Sequence, residues 1–189
     1  MYNLAQEILE LAEKQGAVLY GQFTLSSGKA SDHYWDGKKV TLSARGSYLV
    51  GRAIFDMVAG LNIDAIGGLE MGAIPISTAV ALVSHLQSKE IPAFIVRQKP
   101  KEHGTRVAVE GYLPEGGRVV IVDDVVTTGE STIKAIEVAE ARGCDVVGVI
   151  ALVDRHEGGG DRLKSAGYDF RSILVFQKQG DRTVLRESG

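Results

Sequence analysis

The sequence predicts an open α/β sheet, mostly parallel and flanked by helices, with a small β-rich hood near its amino terminus. From about residue 65 onward, short apolar runs alternate with segments whose apolar residues recur at helical spacing. The apolar runs are continuous, as in residues 119–122 and 146–153, which is typical of parallel strands buried on both faces. Nearer the amino terminus, short strand-like pieces are separated by glycine and serine, which is typical of a small β-rich unit.

The first third of the chain is predicted to hold two helices with the hood between them. Apolar residues from Leu4 onward recur at helical spacing until Gly16 ends the helix. Three short strands follow, at residues 18–20, 23–25 and 33–35. The hood therefore covers residues from about 17 to 40. Ser43 is predicted to cap the second helix, which ends at Gly60.

The rest of the chain is predicted to alternate strand and helix. Strands are expected at residues 65–69, 93–96, 119–122, 146–153 and 172–176, and helices at 74–86, 130–142 and 161–166. Residues 97–110 are polar and lack periodicity, so they are expected to form a loop. Ligands of such sheets bind beyond the carboxyl ends of the strands, and the functional residues are expected there.

The composition fits one cytoplasmic domain spanning residues 1–189. A net charge of −3 argues against a general nucleic-acid or membrane-surface role, because such roles usually bring a basic excess. The single cysteine, Cys144, excludes an internal disulfide and a cysteine-based metal cluster. The apolar run at 146–153 is too short to span a bilayer, and the acidic first helix differs from a secretory signal.

The segment at residues 119–131 carries the strongest chemical signal. Two adjacent carboxylates, Asp123 and Asp124, follow four apolar residues, and a turn rich in hydroxyls and glycine then opens a helix. Free N–H groups and the dipole at a helix start bind phosphate, while paired carboxylates suit vicinal ribose hydroxyls. The alternative is a strand end whose aspartates cap a turn, which the Thr-Thr-Gly sequence disfavours. The predicted sugar-phosphate residues are Asp123, Asp124, Val125, Val126, Thr127, Thr128, Gly129, Glu130 and Ser131.

This segment resembles the signature of the type I phosphoribosyltransferases, which bind phosphoribosyl pyrophosphate here. Two competing nucleotide signatures, G-x-x-x-x-G-K-[ST] and G-x-G-x-x-G, are missing from the sequence. The resemblance implies the type I phosphoribosyltransferase fold for the whole chain.

Residues 23–36 are similar to the amino-terminal motif of the orotate phosphoribosyltransferases, which covers the base. The resemblance implies that Lys29, Tyr34 and Trp35 contact orotate, and the two aromatic rings offer flat faces to a pyrimidine. An equally plausible interpretation from composition is that these aromatic residues simply fill a small hood.

The basic stretch at residues 97–104 is usually a solvated loop when it stands alone. Beside a phosphoribosyl site, cations that close over departing pyrophosphate stabilise its charge, and a mobile loop over about 97–111 excludes water. The resemblance implies that Arg97, Gln98, Lys101 and His103 contact phosphoribosyl pyrophosphate. It further implies that the loop acts in trans in a homodimer, with Arg97, Lys101, His103 and Asp124 as the catalytic residues.

Arg155 follows a predicted buried strand and so lies at the active edge of the sheet. A guanidinium grips a carboxylate with two hydrogen bonds, and orotate differs from uracil by a carboxylate. The family's orotate-binding arginine and threonine match Arg155 and Thr127. The alternative for Arg155 is a surface ion pair with Asp154 or Glu157.

The sequence departs from the common bacterial pattern at three places. Ser26 and Gln98 stand where many members have lysine, and Met71-Gly72 stands where some have Tyr-Lys. The glycine-rich turn at residues 67–73 serves either pyrophosphate binding through its N–H groups or close helix packing. Mg²⁺ is expected to be held mainly by substrate oxygens, with no direct protein ligand and with Asp124 helping at most through water.

The resemblance implies transfer of the 5-phosphoribosyl group from phosphoribosyl pyrophosphate to orotate, giving orotidine 5'-monophosphate and pyrophosphate for pyrimidine biosynthesis. One alternative is a phosphoribosyltransferase for another base, such as a purine. The other is a regulatory protein that kept this fold and binds nucleotide as a signal, with RNA or DNA as its partner. Neither a nucleic-acid nor a membrane partner is expected.

Overall fold

The chain forms a seven-stranded sheet with helices on its faces and a separate two-stranded hairpin. The structure, a computed structural model, describes residues 3–24, 30–99, 109–180 and 182–188. The helices are α1 (Leu4–Lys14), α2 (Gly37–Thr41), α3 (Ala44–Val58), α4 (Ala73–Leu86), α5 (Glu130–Glu140) and α6 (Gly159–Ser165). The strands are β1 (Val18–Thr24), β2 (Ala30–Trp35), β3 (Ala65–Leu69), β4 (Ala93–Val96), β5 (Val109–Gly111), β6 (Arg118–Val126), β7 (Asp145–Asp154), β8 (Phe170–Gln179) and β9 (Arg182–Glu187).

The large sheet has the order β5-β4-β3-β6-β7-β8-β9. Its five inner strands are parallel, and the edge strands β5 and β9 are antiparallel to their neighbours. This arrangement confirms the predicted mostly parallel α/β sheet.

The central strand β6 shows why the apolar runs are continuous. Val120 and Val122 are buried against α1, α3 and α4, whereas Val119 and Ile121 are buried against α5 and α6. Neighbouring side chains of a strand point to opposite faces, so covering both faces requires an unbroken apolar run. None of the described helices has the length and apolar character needed to cross a membrane.

The hood hairpin is built from two strands, where three pieces were predicted. Residues 18–20 and 23–24 belong to one strand, β1, whose pairing with β2 is irregular between Tyr20 and Phe23. Gly21 has φ 154° there, a conformation that glycine adopts without steric cost. Leu25 lies outside the described residues.

Other differences from the prediction are elements that were missed or that end elsewhere. The predicted loop at 97–110 ends in strand β5, and strand β9 follows the strand that was predicted to be the last. Helix α2 was not predicted at all. Strand β6 continues to Val126, because it pairs with β7 as far as Asp154. The predicted helix cap is confirmed, since the Ser43 hydroxyl accepts a hydrogen bond of 3.1 Å from Gly46 N.

Candidate active site

The two predicted carboxylates lie inside β6, where the prediction put them just after it. Asp123 and Asp124 are 8% and 6% exposed, so both are buried near the carboxyl end of the central strand. Asp123 Oδ2 accepts a hydrogen bond of 3.2 Å from Thr132 Oγ1, and its Oδ1 accepts one of 2.9 Å from Asp124 N. Burial, followed by the charge of Asp124, raises the pKa of Asp123 to about 7.

The raised pKa of Asp123 predicts that asparagine at this position reduces the pH dependence of stability. The folded protein binds this proton more tightly than the unfolded chain does. The free energy of unfolding therefore falls as the pH rises from the ordinary carboxyl pKa of about 3.9 through about 7. We expect Asp123→Asn to lose less stability than the wild type over this range, as measured by urea unfolding at several pH values. Asp56→Asn, at an exposed carboxylate, is the control, and equal pH slopes for Asp123→Asn and wild type would contradict the prediction.

Asp124 is contacted by the hood. Lys38 Nζ donates a hydrogen bond of 3.2 Å to Asp124 Oδ2, and the lysine side chain is half exposed. The Trp35 indole N–H is buried and has no hydrogen-bond partner among the described residues. That nitrogen and Asp124 Oδ2 lie 2.9 and 3.4 Å from the position that a Cβ on Gly37 would take. A side chain at this position would therefore crowd both the indole nitrogen and the carboxylate, which explains the glycine.

The turn between β3 and α4 approaches the same carboxylates from the other side. A Cβ on Gly72 would overlap Oδ1 of Asp124 and lie 2.6 Å from Oδ1 of Asp123. Gly67 and Gly68 instead face the backbone of the neighbouring strands, at Phe94 and Val122. Packing thus explains Gly67 and Gly68, which lie in β3, and closeness to the carboxylates explains Gly72 in the turn.

The predicted phosphate turn joins β6 to α5. Gly129 has φ 78°, the left-handed conformation, directly before the helix starts at Glu130. Gly159 N donates a hydrogen bond of 2.8 Å to Thr127 O. A Cβ on Gly159 would overlap Thr127 O and lie 2.8 Å from Gly129 N. The close packing of Gly159 therefore fixes the shape of the turn, a role that sequence reasoning missed.

Arg155 lies beside this turn, since its backbone N donates a hydrogen bond of 2.9 Å to Val126 O. Its side chain is 10% exposed, and its Nε lies 3.1 Å from Glu157 Oε1, without the alignment of a hydrogen bond. Arg155 Nη2 lies 3.5 Å from Ser31 Oγ and 3.3 Å from His33 Nε2, both in the hood. The ion pair with Glu157 thus exists, and most of the arginine side chain in it is shielded from solvent.

The remaining hood and loop residues are only partly described. Tyr34 is 42% exposed and Trp35 is buried at 7%, so Tyr34 is the ring with an accessible surface. Arg97 Nη1 lies 3.4 Å from Glu110 Oε1, and Gln98 N donates a hydrogen bond of 2.9 Å to Glu70 Oε1. Lys29, Lys101 and His103, like most of the predicted loop, lie outside the described residues.

Two features missed from the sequence complete the site. Lys38 reaches Asp124 from the unpredicted helix α2, and His33 reaches Arg155 from β2. The only sequence signal for Lys38 was Asp36, which caps α2 by accepting a hydrogen bond from Lys38 N. Within the described ranges, no group of three or more His, Cys, Asp or Glu side chains is placed to hold a metal ion.

A central strand that leads from buried carboxylates into a glycine turn at a helix start is typical of type I phosphoribosyltransferases, and the fold places this chain in that class. The phosphoribosyl transferase domain family matches residues 48–174. The orotate phosphoribosyltransferase of Aquifex aeolicus is 45% identical over 152 residues, which cover 80% of this chain and 83% of that protein.

Solved structures agree with this match. The crystal structure of Mycobacterium tuberculosis H37Rv orotate phosphoribosyltransferase in complex with Fe(III) dicitrate has a TM-score of 0.80 and 37% identity, covering 92% of this chain and 97% of that one. The complex of the M. tuberculosis enzyme with 5-phospho-alpha-D-ribosyl 1-diphosphate has a TM-score of 0.76 and 33% identity, covering 92% and 96%. The chain therefore belongs to the phosphoribosyl transferase domain family, among the orotate phosphoribosyltransferases.

Proposed function

We propose that this chain transfers the 5-phosphoribosyl group from phosphoribosyl pyrophosphate to orotate, giving orotidine 5'-monophosphate and pyrophosphate in pyrimidine biosynthesis. The observation that carries the proposal is the guanidinium of Arg155, largely shielded from solvent beside the phosphate turn. Its Nε faces Glu157, whereas its Nη1 makes no hydrogen bond with any described residue, so it can donate to the carboxylate that distinguishes orotate from other pyrimidines.

The sugar phosphate is held by one continuous segment. Asp123 and Asp124 accept hydrogen bonds from the ribose hydroxyls, and residues 127–131 donate N–H and O–H groups to the 5'-phosphate. Helix α5, with 11 residues, adds the dipole of its amino-terminal end. Lys38 donates a hydrogen bond to Asp124 from the side of the hood.

The base is oriented by Arg155, Thr127, Lys29 and Tyr34, whereas the Trp35 ring predicted to join them is buried in the core. As the bond between ribose C1 and pyrophosphate breaks, the anionic ring nitrogen of orotate forms a bond to C1 from the opposite face. The chain need supply no nucleophile, so its contribution is positioning and electrostatic stabilisation. Mg²⁺ bound mainly by substrate oxygens, with Asp124 reaching it through water, would neutralise charge on the leaving group.

A spectrophotometric assay with Mg²⁺ and phosphoribosyl pyrophosphate tests the proposal. Orotate, uracil, hypoxanthine and guanine are compared in parallel, and we expect Mg²⁺-dependent consumption of orotate alone. Consumption of another base would support the alternative that the chain is a phosphoribosyltransferase for that base. Inactivity with every base, together with salt-sensitive RNA binding, would support the regulatory alternative.

We also propose that residues 1–189 form one cytoplasmic domain that works as a homodimer. Hood residues Val18 and Trp35 share a core with the sheet residue Val122, which supports a single domain. Leu42, Met71 and Leu82 are 70%, 65% and 61% exposed and line one groove together with Lys38, the partner of Asp124. A second copy covering this groove would bury the apolar side chains next to the sugar site.

Glutamate at Leu82 is predicted to weaken the dimer. The carboxylate would have to be buried without a partner in an apolar interface, which is strongly unfavourable. We expect Leu82→Glu to shift sedimentation toward the monomer at a concentration where the wild type is dimeric. Tyr112→Glu is the control, because Tyr112 is 58% exposed and does not line the groove. A dimer equally stable in both variants would place the interface elsewhere.

If the loop of one subunit acts in the active site of the other, two variants that are each inactive should regain activity when they are mixed. Arg97, Gln98, Lys101 and His103 would contact the pyrophosphate of the partner subunit, so Lys101→Ala should lower kcat on the order of a hundred-fold with little loss of stability. In a mixed dimer, the Lys101→Ala subunit keeps its own Arg155 and receives the unaltered loop of the Arg155→Ala subunit. One of the two sites is therefore intact. Mixing the two should restore activity to about a quarter of the wild-type value. Mixtures no more active than the separate variants would show that the loop acts in cis.

A further inference from the structure

His33 is a buried histidine of the hood that lies between a carboxylate and the orotate-binding arginine. Its side chain is 9% exposed, and its Nδ1 lies 2.7 Å from Asp32 Oδ1. Its Nε2 lies 3.3 Å from Arg155 Nη2. Each ring nitrogen therefore faces one charged group.

The two partners determine which nitrogen carries the proton. A guanidinium has only donors, so His33 Nε2 must accept a hydrogen bond from Arg155 and must be unprotonated. Asp32 is ionised, because the hydrogen bond from His33 lowers its pKa to about 2, and a carboxylate accepts from Nδ1–H. The geometry thus selects the neutral imidazole with its proton on Nδ1.

The carboxyl-terminal hairpin holds this arrangement in place. The His33 ring stacks on Phe176 of β8, with centroids 4.1 Å apart and planes at 28°. Thr183 N, in β9, donates a hydrogen bond of 3.1 Å to the second oxygen of Asp32. Leu185 N donates another, of 3.1 Å, to the Tyr20 hydroxyl. The ring and the carboxylate that orients it are therefore both fixed by β8 and β9.

A neutral acceptor has a specific consequence for Arg155. It orients the guanidinium through Nη2 without adding a second negative charge to that of Glu157, which a carboxylate at the same place would do. Among the described residues, Arg155 Nη1 makes no hydrogen bond, so its N–H groups are available to a ligand.

We propose that His33 is a positioning residue for recognition of the substrate carboxylate, acting as a neutral hydrogen-bond acceptor that orients Arg155, with Asp32 fixing its tautomer. This assignment rests on the proposed function, since it deepens the role of Arg155 in binding orotate. His33 itself contacts Arg155 and not the reacting atoms. Substituting it should therefore change the affinity for orotate.

Three substitutions separate the hydrogen bond from the shape of the ring. Glutamine places its amide near the position of Nε2 and keeps an acceptor for Arg155. Asparagine reaches only as far as Nδ1 and keeps the contact with Asp32 alone. Phenylalanine keeps the stacking on Phe176 and loses both hydrogen bonds. KM for orotate, KM for phosphoribosyl pyrophosphate, kcat and the melting temperature are measured for each variant.

We expect His33→Asn and His33→Phe to raise KM for orotate by about ten- to a hundred-fold, with KM for phosphoribosyl pyrophosphate changed by less than about twofold. His33→Gln should stay within about threefold of the wild type for both substrates. An orotate KM unchanged in His33→Asn and His33→Phe would overturn the assignment. So would an equal rise in both KM values, or a His33→Gln variant as impaired as His33→Phe. A wild type that leaves orotate unconsumed would instead overturn the proposed function.

Discussion

Replacing Arg155 with alanine should lower kcat/KM for orotate by about a thousand-fold and leave the binding of phosphoribosyl pyrophosphate unchanged. Truncating one partner of a buried charge pair costs several kcal/mol, because the other charge is left without a partner in a site that excludes water. Arg155 is 10% exposed on its side chain, so water replaces the lost guanidinium poorly. The loss should appear mainly in KM for orotate.

Two further variants make this test specific. Arg155→Lys keeps the positive charge but cannot reproduce the planar two-point contact, so its activity should fall between those of the wild type and Arg155→Ala. Arg171→Ala removes an arginine whose ion pair with Asp169 is exposed on β8 and should leave kinetics unchanged. Calorimetric titration with phosphoribosyl pyrophosphate checks the sugar site. If Arg155→Ala weakened both substrates equally, Arg155 would be supporting the turn and not recognising the base.

The parts of the candidate site whose arrangement could be predicted from the sequence are those that neighbour one another in the chain. Residues 123–131 lie on one strand end and one helix start, so local spacing already brings carboxylates and turn together. The strands at 65–69 and 93–96 were predicted with their observed bounds, because each is an unbroken apolar run, and β3 is buried on both faces.

The parts that were missed depend on contacts between distant segments. Lys38 and Asp124 are 86 residues apart, and His33 and Arg155 are 122 apart. Both pairs form only because the hood folds over the carboxyl edge of the sheet. Strand β6 is longer than its apolar run because its pairing with β7 holds the two aspartates in extended backbone. Strand β5 has three residues and β9 is an edge strand rich in polar residues, so neither carries a strong periodic signal.

Alanine at Gly72 is predicted to abolish most activity although its backbone conformation allows alanine. Gly72 has φ −62° and ψ −42°, a helical conformation in which a change from glycine to alanine ordinarily stabilises by about 0.4–1 kcal/mol. Here the new methyl group would overlap Oδ1 of Asp124 and lie 2.6 Å from Oδ1 of Asp123. A misplacement of about 1 Å costs on the order of a hundred-fold in rate, and two carboxylates would be displaced. We expect kcat/KM for phosphoribosyl pyrophosphate to fall on the order of a thousand-fold.

The carboxylates cannot easily move away from this methyl group. Asp123 is held through both oxygens, by Thr132 Oγ1 and Asp124 N, and Asp124 is paired with Lys38. Overpacking of this kind typically costs about 1–3 kcal/mol of stability, so the melting temperature should fall as well. Gly60→Ala is the matched control, because a Cβ at Gly60 meets nothing within 4 Å, and it should keep wild-type kinetics. A Gly72→Ala enzyme with normal kinetics would mean that the turn between β3 and α4 yields readily, and that the position of Asp123 and Asp124 does not depend on it.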